Sequence, residues 1–185
     1  MTMTDNDRIG RILKAAYPDV GSDDPVSYLE EETEAFRALD LSFLFWPRFI
    51  NVYGAVFLAL DGDDEKFIVE RLTTPHPVRK SHTPDTSWVD AVDSFNWIEL
   101  SQLFHNIRNP AEFLTEAHLE VGKILCQTWS AKLRQEYPDR GFSVCIAEAD
   151  ESVEQRIEIK QLDPQLQTPD GWNPERHIIE TRGGS

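Results

Sequence analysis

The sequence predicts an α+β fold: an antiparallel sheet of about four strands, arranged as two hairpins, with a long central helix and N-terminal helices packed on it. Three observations predict it. Residues 110–137 repeat apolar side chains at helical spacing over more than half the circumference of one helix. Residues 142–147 alternate, with Phe142, Val144 and Ile146 pointing one way, and 153–162 return as a partner. Residues 51–60 are near-continuously apolar and end at an Asp61-Gly62 turn signal, which suggests a strand buried on both faces.

The elements follow in order. Ile9, Ile12, Leu13 and Ala16 give a first helix over 5–17, stopped by Pro18. Pro25, with Asp23 and Asp24 before it, opens a second helix whose apolar face is Tyr28, Leu29, Phe36 and Leu39. Residues 41–47 read as an aromatic connection ended by Pro47. After the 51–60 strand, 66–72 is expected to return as its hairpin partner. The acids of the 61–64 turn lack the Asp-x-Asp-x-Asp-Gly order of a calcium loop, so a plain turn is the reading. Residues 73–86 form a proline-stiffened loop, and 88–109 suggest two short helices around Trp97. Asn109 caps the central helix and Pro110 occupies its first position. Its two apolar stripes require cover on two sides, a sheet on one and the N-terminal helices on the other. The 153–162 strand has an imperfect register, which suggests a bulge. Residues 1–162 are expected to form a single domain, and 163–185 an irregular C-terminal tail.

Charge narrows the function classes. The 185 residues hold 18 Lys+Arg against 33 Asp+Glu, a formal net charge of -15. Phosphate repels such a body, so nucleic acid is not an expected partner. Five Trp and ten Phe argue against a disordered chain, and no apolar run suits a membrane span. The polar, acidic first ten residues do not read as a secretory signal, so a cytoplasmic location is expected. Cys126 and Cys145 read as structural thiols, too few for a disulfide framework.

Short catalytic motifs are missing. The sequence has no G-x-G-x-x-G, no G-x-x-x-x-G-K-[ST], no G-x-S-x-G and no H-E-x-x-H. Neither a cofactor nor a metal site is therefore expected. The candidate binding residues are His76, Arg79, Lys80 and His82, which make 73–84 locally basic, and Trp46 beside Pro47. Loops on a rigid scaffold carry recognition residues disproportionately, and tryptophan often anchors partners. The bland reading of the loop is a surface connection whose cations meet neighbouring carboxylates. Among Phe43, Phe45, Trp46, Phe49 and Tyr53, most are expected in the core, with Trp46 and Trp172 reaching the surface.

Three functions fit this composition. The first is a non-catalytic intracellular module that binds a basic protein, in the manner of an immunity or antitoxin protein, through acidic faces at 30–34, 61–65 and 148–154. The second is a motif-less hydrolase using His105 or His118 with a carboxylate. The third rests on the β-β-α-β-β order and the terminal Gly183-Gly184 pair. In outline these are similar to ubiquitin-like β-grasp proteins, a resemblance that implies a modifier role.

Overall fold

The computed structural model describes residues 5–20, 35–60, 64–74, 85–103, 111–149 and 153–180. Helices α1 (Asp5–Ala16) and α2 (Ala35–Phe45) precede a tight hairpin of β1 (Arg48–Val52) and β2 (Ala55–Ala59). Helices α3 (Asp64–Thr73) and α4 (Trp88–Phe95) follow, then β3 (Trp97–Glu99) and the single turn α5 (Leu100–Leu103). The long helix α6 (Ala111–Glu136) leads into β4 (Gly141–Ala147) and β5 (Arg156–Asp163), and β6 (Trp172–Asn173) pairs with β7 (Ile178–Ile179). Mixed helices and antiparallel strands are as the sequence predicts, including the long helix. The strands form three small sheets, β1-β2, β3-β5-β4 and β6-β7, where one sheet of about four strands was expected.

The first hairpin is shorter than expected because its turn lies inside the apolar run. Tyr53 and Gly54 have φ of +50° and +82°, the left-handed pair that a two-residue hairpin turn requires. Val52 therefore pairs with Ala55, and Arg48 with Ala59. Residues 66–72, expected as the partner strand, lie in α3. Ile68 and Leu72 fall one helical turn apart and are buried, Asp64 and Glu65 stand at its positive end, and Arg71 lies in its last turn. The β-β-α-β-β order behind the β-grasp likeness is consequently not present. Residues 41–45, expected as a connection, are the second half of α2.

β2 is buried along its whole length and divides the core, as its continuous apolar character suggests. On one face Ala55, Phe57 and Ala59 pack with Ile68 and Leu72 of α3, Trp88 and Val92 of α4, and Ile179. On the other, Val56 and Leu58 meet Leu125, Trp129 and Leu133 of α6 together with Ile157 and Ile159 of β5. Helix α6 packs on β4 and against α1, α2 and α5, which accounts for its wide apolar arc. Leu162 is the unmatched residue where the β4–β5 register shifts, since Gly141 faces Asp163 while Phe142 faces Gln161.

The C-terminal stretch, expected to be irregular, holds the small β6-β7 pair and contributes to the core. Ile178 and Ile179 are buried, and Trp172 meets Trp88 edge-on with ring centroids 5.1 Å apart. Trp172 also donates its indole N–H to the Thr86 carbonyl at 3.2 Å, so it is an internal anchor where the sequence suggested a surface one. No helix among the described residues is long and apolar enough to cross a membrane.

Candidate interaction site

Helix α2 carries the most exposed apolar surface of the described residues. Leu44 and Phe45 turn inward onto the α6 side of the core. Leu39, Phe43 and Trp46 lie at i, i+4 and i+7, hence along one line of the helix, and are 60%, 71% and 43% exposed. Trp46 sits one residue beyond the helix, yet its N–H still bonds the Ser42 carbonyl at 2.9 Å and so keeps the helical line. The Lys132 ammonium stands 5.2 Å from the Trp46 ring centroid and pairs with Glu136 at 3.0 Å. Trp129 of α6 fastens α2 by donating its indole N–H to the Leu44 carbonyl at 2.7 Å. The stripe is therefore mounted on a fixed helix.

The aromatic set is divided differently from the sequence expectation. Phe49 is buried and Phe45 half-buried, whereas Phe43, Trp46 and Tyr53 are exposed. The sequence places Leu39 on the apolar face of the second helix and Phe43 in an aromatic recognition candidate expected mostly in the core, yet both are exposed. Their signal was present in the i, i+4, i+7 spacing with Trp46, but it is readable only once 41–45 is recognised as helix.

A second feature is a cleft of about 240 Å³ where the end of α4 meets β3 and β5. Asp93, Trp97, Arg156, Glu158 and Lys160 line it. Glu158 accepts from Arg156 Nε at 2.8 Å and pairs through its other oxygen with Lys160 Nζ at 3.2 Å. That carboxylate raises the Lys160 ammonium above its ordinary range, first through the hydrogen bond and then through its charge. Partial burial raises the Asp93 carboxyl, with Lys160 opposing the shift. Ser94 also lines it, with its hydroxyl donating to the Ala91 carbonyl at 2.6 Å. A network of paired charges is what it offers.

His76, Arg79, Lys80 and His82 lie outside the described residues, as do His105 and the acidic run at 30–34. The acidic stretches at 61–65 and 148–154 are described only in part. His118 is half-buried on α6, and burial lowers its pKa while the charge of Glu154 opposes the shift. It lines neither the α4–β5 cleft nor the hollow between α1 and Glu116. Burial, with a smaller contribution from Cys145, pushes the Cys126 thiol up to about 11, which leaves it protonated at neutral pH. Among the described residues no group of three His, Cys, Asp or Glu side chains is placed to hold a metal ion.

Comparison with protein-family models, with curated proteins and with solved structures finds no match to this chain.

Proposed function

We propose that this protein is a non-catalytic interaction module that docks a basic protein partner, an immunity or antitoxin role being the concrete version. The observation that supports the reading is the Leu39-Phe43-Trp46 stripe on α2. Three large apolar side chains in line on a helix fixed at its inner face match the anchors that helix-in-groove recognition uses. The stripe supplies desolvation energy, while a body of net charge -15 attracts a cationic partner and repels anionic ones.

The test is binding to the basic proteins encoded beside this gene, measured by calorimetry, together with protection of cells expressing them. One neighbour should bind and lose affinity by roughly thirtyfold in Phe43→Ser, the scale of an interface hot spot. Association should slow as salt is raised, because steering is screened. Failure of every neighbouring product to bind, or binding indifferent to Phe43→Ser, would remove the basis for the reading.

A further inference from the structure

The strand order β3-β5-β4 leaves β4 at the edge of its sheet. The direction of its backbone groups follows from the ladder. Ile159 N–H reaches the Asn96 carbonyl at 2.8 Å, and the Gln155 carbonyl accepts from Leu100 at 2.9 Å. The odd residues of β5 thus face β3 and the even ones face β4. Val144 lies opposite Ile159 and Ile146 opposite Ile157, so β4 bonds to β5 through its odd residues. Phe142, Val144 and Ile146 turn their own N–H and C=O outward. Among the described residues no backbone bond outside the β4–β5 ladder involves these three.

Edges of this kind are ordinarily blunted by lysine, proline or a very short strand. β4 is seven residues long and contains neither charge nor proline, in a chain of net charge -15. Its inward side chains Phe142, Val144 and Ile146 are only half-buried against the α6 core, so apolar surface remains along the edge.

We propose that β4 is the interface for a second copy of this chain, paired antiparallel about a two-fold axis at Val144. In that register Val144 meets Val144, Phe142 meets Ile146, and Ser143 meets Cys145. The three outward N–H groups of each copy then find the three outward C=O groups of the other, with the hydrogen-bonded spacing that antiparallel strands require. The same register sets Arg140, whose guanidinium also donates to the Gly54 carbonyl at 3.1 Å and to Gln161 at 3.3 Å, opposite Glu148 at both ends, an opposite-charge pair made twice. The strand is thereby complementary to itself in backbone, apolar and charged groups. The resulting sheet has six strands and no exposed β4 edge.

Sedimentation over a concentration series tests this directly, with a species of twice the 21.3 kDa chain mass expected. Glu148→Arg sets like charges opposite Arg140 and should raise the dissociation constant roughly tenfold. Because Glu148 is exposed, the folded chain should be unaffected, as circular dichroism would show. Ser143→Cys supplies an independent readout. Residues 143 and 145 of the two copies form non-hydrogen-bonded pairs, about 4.5 Å apart at Cα, within disulfide range. Oxidised Ser143→Cys should run as a covalent dimer on a non-reducing gel, joined between positions 143 and 145. A monomer at every concentration would overturn the proposal. So would a dimer indifferent to Glu148→Arg whose Ser143→Cys form does not cross-link.

Discussion

Asn96 shows how one side chain can take the place of a strand. It is 3% exposed, and its amide accepts from the Leu58 N–H at 2.9 Å while donating to the Val56 carbonyl at 2.8 Å. Its own carbonyl accepts from Ile159, so a single residue joins the outer edge of β2 to β5. Asn96→Ala leaves Leu58 N–H and Val56 C=O buried without these bonds, a cost of about 3 kcal/mol. Urea unfolding should show a lowered midpoint at unchanged slope, and an unmoved midpoint would mean that the two sheets are held by side-chain packing alone. Nearby Asp93 has the opposite character, because burial raises its pKa and penalises its charged form. Its favourable contribution is fully present below the ordinary carboxyl value of 3.8 and is lost as pH rises through the folded value. Asp93→Asn should therefore stabilise the protein at neutral pH, with the gain shrinking in acid. A variant less stable than the parent at pH 7 would show that attraction to Lys160 outweighs burial.

The small β6-β7 pair depends on the 169–172 turn that leads into it more than on its length. Gly171 has φ of +84°, and a Cβ there would stand 2.5 Å from the Glu180 carbonyl oxygen. Gly171→Ala thus meets both backbone strain and a backbone clash, costing about 2 kcal/mol. The Trp88–Trp172 pair should report it through tryptophan fluorescence during thermal unfolding, and an unchanged profile would mean that the turn relaxes without cost. No regular pattern in the sequence announced this pair, since each strand is two residues long and its burial comes from α3 and α4. The long helix, β4 and β5 were legible because their apolar periods run through many residues. Residues 66–72 carry a strand-like sequence yet form a helix, for a physical reason. Phe67, Ile68 and Val69 favour strands, and Asp61-Gly62 resembles a hairpin turn, but Ile68 and Leu72 obtain burial only at helical spacing. The actual turn, Tyr53-Gly54, was concealed because β2 is apolar on both faces and gives no alternation around it. The exposed line of α2 is hidden for a related reason: apart from Arg37, Asp40 and Ser42 the helix is apolar, so its pattern does not tell which apolar line faces outward. Trp46 is legible from the Trp46-Pro47 sequence, whereas Leu39 and Phe43 join it only through the helical spacing of α2.

At the scale of the whole molecule, local ion pairs must be weighed against a total charge of -15. Half of the described pairs are solvent-exposed on both sides, such as Arg48–Glu65 at 2.8 Å and Lys66–Glu70 at 3.9 Å, and exposed pairs contribute little. The Arg156-Glu158-Lys160 network is more enclosed but local, confined to one end of β5. The excess carboxylates, by contrast, repel one another throughout the compact state and are farther apart in the unfolded chain. Salt should distinguish these effects. Raising ionic strength from about 0.01 M to about 0.15 M shortens the screening length from roughly 30 Å to roughly 8 Å. Long-range repulsion is largely removed over that interval, whereas contacts near 3 Å keep most of their attraction. The melting temperature of the Glu148→Arg chain, chosen so that β4 pairing adds little stability, should rise as sodium chloride is added and level off once repulsion is screened. A melting temperature that falls with salt would show instead that the short ion pairs outweigh the net charge.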